Sequence, residues 1–113
     1  MHFDVVFHVD EDAAALGMAL TNIRNYLTAL SHEQFTAVLL VNGPAISLMT
    51  ADGDQAGQLR ELAELGLRVR VCQNAMHHFG ITVEQLHPAC EIVPAGVVEL
   101  ADLQHKGYAY IKP

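Results

Sequence analysis

The chain has no tryptophan, few aromatic residues, two cysteines and only six lysines and arginines against thirteen acids. Each shortage excludes something. A formal charge of −7 leaves no cationic surface for phosphate, so a nucleic-acid partner is not expected. No apolar run is long enough to cross a bilayer, so no membrane partner is expected either. The first residues, Met-His-Phe-Asp, lack the basic stretch and apolar core of a secretory signal, and a cytoplasmic location is expected. Cys72 and Cys90 form neither a CxxC pair nor a disulfide framework, and read as free thiols. Low-complexity polar tracts are absent, and with 51 % hydrophobic residues disorder is excluded. What remains is a single domain over residues 1–113, large enough for one core.

Periodicity divides that domain into alternating strands and helices. Apolar runs at Phe3–Val9 and Phe35–Val41 suit strands covered on both faces. Between them Leu16, Leu20, Ile23, Leu27 and Leu30 make a helical stripe, with Asp10 expected as its N-cap. Asn42-Gly43-Pro44 breaks the second strand, and Ala45 to Thr50 suits a helical turn. Gln55 to Leu65 reads as a helix stopped by Gly66, and Leu67 to Val71 as a third strand. A short helix, Asn74 to Phe79, ends at Gly80, and Thr82-Val83-Glu84-Gln85 is a capping-box pattern. Glu91–Val93, a helix over Val97–His105 and a closing strand over Tyr108–Ile111 complete the series.

Such alternation predicts an α/β fold: a three-layer sandwich around a five-stranded, mainly parallel sheet with right-handed crossovers. A flavodoxin-like strand order, 2-1-3-4-5, is expected. Arg68 and Arg70 resist it, because they share one face of a strand that this order buries. At least one of them should pair with an acid, within the chain or across an interface, or line a solvent-reached pocket.

The chemistry centres on Cys72, at the carboxyl end of the third strand where the next helix begins. Ligands of open α/β sheets bind beyond the carboxyl ends of strands. If strands 1 and 3 were neighbours, His8 and Asp10 would end beside Cys72 and Asn74. His8 could then accept the thiol proton, and Asn74 could donate a hydrogen bond to an anionic substrate. Asn42 and Gly43 would line the same rim, with Gln73 beside them. Cys90 reads as a packing residue, and Met76 and Phe79 as core. His77 and His78 are adjacent, about 100° apart on a helix, and no HExxH pairing occurs, so no metal is expected. Neither GxGxxG nor GxxxxGK[ST] follows a strand, so no cofactor is expected.

Several stretches carry a family resemblance. Val5-Val6-Phe7-His8-Val9-Asp10-Glu11-Asp12, Val71-Cys72-Gln73-Asn74, Val93-Pro94-Ala95-Gly96-Val97 and Gly107-Tyr108-Ala109-Tyr110-Ile111-Lys112-Pro113 together resemble the DsrE/DsrF-like family, including its small YchN-type members. The resemblance implies a DsrE-like fold, homo-trimers or hexamers, and, as in sulfur-relay members, a cysteine persulfide on Cys72 exchanged between sulfur donor and acceptor proteins. His8 and Asn74 would assist as catalytic residues. Asp10, Asn42, Gly43 and Gln73 would bind substrate. The chain departs from the family in the loop after the second strand, where Ala45 precedes Ile46 and Pro44 stiffens the turn. The competing expectation is a non-catalytic oligomeric module holding a small anion, nucleotide or partner at the same strand-end pocket.

Overall fold

The computed structural model describes residues 2–113. Five strands, β1 (Val5–Val9), β2 (Ala37–Val41), β3 (Arg68–Cys72), β4 (Cys90–Val93) and β5 (Ala109–Ile111), form one sheet. Every strand pair is parallel. Four helices connect them: α1 (Ala13–Ala29), α2 (Ala56–Glu64), α3 (Gln73–Phe79) and α4 (Gly96–His105). A 3₁₀ segment, Gly43–Leu48, follows β2, and a shorter one, Val83–Gln85, carries the expected Thr82/Gln85 capping box. Element types follow the periodicity closely, with boundaries moved by a few residues.

The strand order is β4-β3-β2-β1-β5, not 2-1-3-4-5. The reason lies in crossover handedness. The chain steps from β1 to β4 always in one direction, so right-handed crossovers place α1, α2 and α3 on one face. It then reverses past the whole sheet to β5, and a right-handed return must cross the other face. The packing agrees. Val5, Phe7, Val9, Leu39, Val41, Val69 and Val71 share a large core with residues of α1, α2 and α3. Val6, Val38 and Leu40 form a smaller core with Leu100 and Leu103 of α4.

One helix cannot cover a face of five strands, and the uncovered part explains the arginines. Arg68 forms a two-pronged pair with Glu91, Nε–Oε1 2.9 Å and Nη2–Oε2 2.7 Å. Arg70 Nη1 lies 3.3 Å from Glu99 Oε2 at the start of α4. The expected pairing with acids is present: Arg68 lies on sheet surface that α4 does not cover, and Arg70 is held against the first turn of α4.

The cap of α1 is Asp12, whose side chain accepts the Ala15 N–H at 2.9 Å. Asp10, expected in that role, instead meets Lys112 Nζ at 2.6 Å. It follows β1 directly and lies two residues before Asp12, too early to cap the helix. Met76 is buried as expected, whereas Phe79 is half-exposed and packs edge-on against His78.

Candidate functional site at the carboxyl edge of the sheet

Cys72 closes β3 and is the N-cap of α3, with its Sγ accepting the Ala75 N–H at 3.5 Å. Its extended backbone ends the strand, and the following residues turn directly into helix without a linker. The side chain is buried. Ala75 and Met76 of α3 pack into the same core and fix the helix against β3.

Topology makes this edge distinctive. The segment after β3 departs to the face that carries α3, and the segment after β4 departs to the face that carries α4. Cys72 and Val93 are register partners at the ends of these two strands. The switch point, where neighbouring connections diverge and a crevice opens, therefore falls between β3 and β4. The expected position, between strands 1 and 3, does not exist in this order.

His8 is consequently not a neighbour of Cys72. With β2 between them, β1 and β3 stand about 10 Å apart, two inter-strand spacings. His8 has other partners. Its Nε2 lies 2.8 Å from Asn42 Oδ1, and its Nδ1 lies 2.6 Å from the Tyr110 hydroxyl. His8 and His87 are the buried histidines among the described residues. His87 is structural: Nε2 donates to the Ala56 carbonyl and Nδ1 accepts the Ala89 N–H.

The remaining expected site residues divide. Asn42 joins the His8 cluster. Gly43 is there for its backbone: its φ is +59°, and a Cβ would stand 2.9 Å from the Asp10 carbonyl oxygen. Only glycine lets the segment after β2 lie so close to the segment after β1. Asp10 is tied to Lys112, whose hydrogen bond holds its carboxyl below the ordinary carboxylate range. Gln73 and Asn74 are exposed on the first turn of α3, next to Cys72 in sequence and apart from the His8 cluster. Tyr110 was not expected here. It sits 102 residues from His8, and strand order alone brings β5 to β1.

Cys90, at the start of β4, is a free thiol like Cys72. Burial pushes its pKa up to about 12. Two cavities, of about 450 and 470 Å³, are lined by neither Cys72 nor the His8 cluster. Phe35 and Ala37 line the first, and His87 and Ala89 the second.

An all-parallel sheet in this order, with a cysteine that both closes β3 and caps α3, defines a small α/β protein of the DsrE-like fold. The profile of the DsrE/DsrF-like family matches residues 4–113, and the chain belongs to that family. Among solved structures it is similar to MTH1491 from Methanobacterium thermoautotrophicum, a protein of unknown function. That pair has 28 % identity and a TM-score of 0.91, covering 98 % of this chain and 99 % of the other. The ychN protein from E. coli shares the fold at 17 % identity, with a TM-score of 0.77 and complete coverage of both chains. BT1422 from Bacteroides thetaiotaomicron does so at 12 % identity and a TM-score of 0.76, covering 97 % of this chain and 94 % of the other. No curated protein matches the sequence significantly.

Proposed function

We propose that this protein is a sulfur carrier that holds sulfane sulfur as a persulfide on Cys72. The observation that carries the reading is the placement of Cys72 at the β3–β4 switch point, with the Ala75 N–H directed at its sulfur. Membership of a family linked to sulfur relay supports it. In the loading step the Cys72 thiolate attacks the outer sulfur of a donor persulfide. A Cys72–sulfur bond forms, the donor's sulfur–sulfur bond breaks, and the donor leaves as a thiol after taking up a proton. In the transfer step an acceptor thiolate takes the outer sulfur and Cys72 departs as thiolate. The donor amide of Ala75 meets the negative charge at the beginning and end of the cycle. Gln73 and Asn74, exposed beside Cys72, form the surface that a donor or acceptor protein would touch.

His8 has no part in this scheme, since its two ring nitrogens are engaged on the far side of β2. We further propose that the working unit is a homo-oligomer, a trimer or hexamer. Parallel sheets are normally covered on both faces, and here one face carries a single helix whose outer residues Val97 and Val98 are 67 % and 66 % exposed.

Intact-mass measurement after incubation with glutathione persulfide tests the carrier reading. The parent and Cys90→Ser should gain one sulfur atom, reversibly with reductant, and Cys72→Ser should gain none. Retention of sulfur by Cys72→Ser, or absence of uptake by the parent, would refute it.

A further inference from the structure

Tyr110, His8 and Asn42 are arranged as nucleophile, base and orienting group. Asn42 offers its carbonyl oxygen to His8 Nε2 at 2.8 Å, which makes Nε2 the protonated nitrogen. His8 Nδ1 is then the acceptor for the Tyr110 O–H, 2.6 Å away. The imidazole is almost fully buried, so its ring is held in one orientation, while Tyr110 is 40 % exposed. The fold forces this arrangement. Tyr110 pairs in register with Val6 on the α4 face of the sheet, and His8 follows two residues along on the same face. The phenol ring therefore lies along the strand toward the imidazole, with centroids 5.7 Å apart. The charged groups beside the pair are Asp10 and Lys112, themselves joined at 2.6 Å.

We propose that Tyr110 is a second nucleophile of this protein, separate from Cys72, and that the β1–β5 edge reacts with small activated acyl esters. The Tyr110 oxygen attacks the ester carbonyl carbon and an oxygen–carbon bond forms. The bond from that carbon to the leaving oxygen breaks. The phenolic proton passes to His8 Nδ1, and from there to the leaving oxygen. Water, activated by His8 in the same way, then cleaves the aryl ester and restores the phenol. Nucleophile, base and orienter within hydrogen-bond reach is the constellation that activates weak oxygen nucleophiles, and asparagine serves as the third member in some cysteine enzymes. Asn42 is a positioning residue: it touches no reacting atom and acts by fixing the imidazole.

The test uses the full chain carrying Cys72→Ser, so that acylation of that thiol does not intrude, with p-nitrophenyl acetate as the probe. Peptide mapping should place the first acetyl group on Tyr110, ahead of Tyr108 and Tyr26. His8→Gln should slow the reaction by about tenfold or more, as expected for loss of a general base. In the protein with His8 present the rate should level off once His8 is neutral. In His8→Gln it should keep climbing with hydroxide, and Asn42→Ala should displace the profile. Acetylation of Tyr110 no faster than Tyr108, or an unchanged rate in a folded His8→Gln protein, would overturn the proposal. The comparison among tyrosines decides the matter even if His8→Gln does not fold. None of these outcomes depends on sulfur uptake by Cys72.

Discussion

Asn42 follows Val41 as Cys72 follows its register partner Val71, yet the Asn42 side-chain carbonyl turns away, to His8 on the opposite side. This one orientation separates the carboxyl edge of the sheet into two halves. Asn42→Ala should therefore disturb His8 and Tyr110 and leave persulfide loading at Cys72 intact. Parallel measurement of acylation and sulfur uptake on the one variant checks that separation. Loss of both would mean the halves are coupled.

The two thiols should differ in reactivity. Cys90 is held protonated by burial, with a pKa of about 12, so at neutral pH it offers almost no thiolate. Brief alkylation with iodoacetamide followed by peptide mapping should find Cys72 labelled first. Equal labelling would contradict the assignment of Cys72 as the reactive thiol.

Cys90 should also shape the alkaline limb of stability. In the unfolded chain its thiol ionises near its ordinary value of 9.0, and in the folded chain only near 12. Between those values the unfolded state has released a proton that the folded state retains, so stability falls as pH rises. The slope due to this one group is at most about 1.4 kcal/mol per pH unit. Urea midpoints of the parent and Cys90→Ala, compared from pH 8 upward, should diverge in that sense.

On the acid side, Glu91 should act in the opposite direction. Hydrogen bonding from Arg68 holds its carboxyl below the ordinary range. Its contribution is present above the pKa of an unfolded glutamate and is lost as pH falls through the depressed value. Both side chains are about half exposed, so the pair should contribute no more than about 1 kcal/mol. A double-mutant cycle with Arg68→Met and Glu91→Gln measures it, and added salt should shrink the coupling.

Gly43→Ala should cost more than Gly80→Ala. Both glycines have positive φ, but a Cβ at Gly80 meets open space and one at Gly43 meets the Asp10 carbonyl oxygen. Strain alone predicts about 1 kcal/mol at position 80, and the added backbone clash should bring position 43 to about 2 kcal/mol or more. Thermal melts of the two variants decide it.

Light scattering at micromolar concentration should show the proposed oligomer, and Val97→Glu with Val98→Glu should weaken it. A monomeric parent would refute that assembly.

Element types were legible because periodicity records which faces are buried, and the Leu16–Leu20–Ile23 stripe is indeed the buried side of α1. Strand order was not legible. Handedness constrains each crossover, but nothing local in the sequence says in which direction the next strand is laid. The error over His8 came entirely from that gap, as did the absence of Tyr110 from the expected site. The discordant signal was Arg68 and Arg70. Two charges on one face of a central strand were the trace of a sheet surface left without a helix. Asp10 and Asp12 were indistinguishable as caps, because both lie in one acidic run and only the end of β1 decides between them.

The winding of this sheet, four strands laid one way and a single return, also sets how the molecule should come apart. β5 pairs along three residues, and α4 holds the smaller of the two cores, so together they form the unit that opens at least cost. In hydrogen exchange the amides of α4 and β5 should lose protection before those of β2 and β3. Each such excursion would strip Tyr110 from His8 and bare the imidazole, while Cys72 stayed locked in the larger core. The Tyr110–His8 contact would then come and go with the fraying of one edge strand, while the strand end that carries Cys72, with Gln73 and Asn74 exposed beside it, kept its geometry throughout.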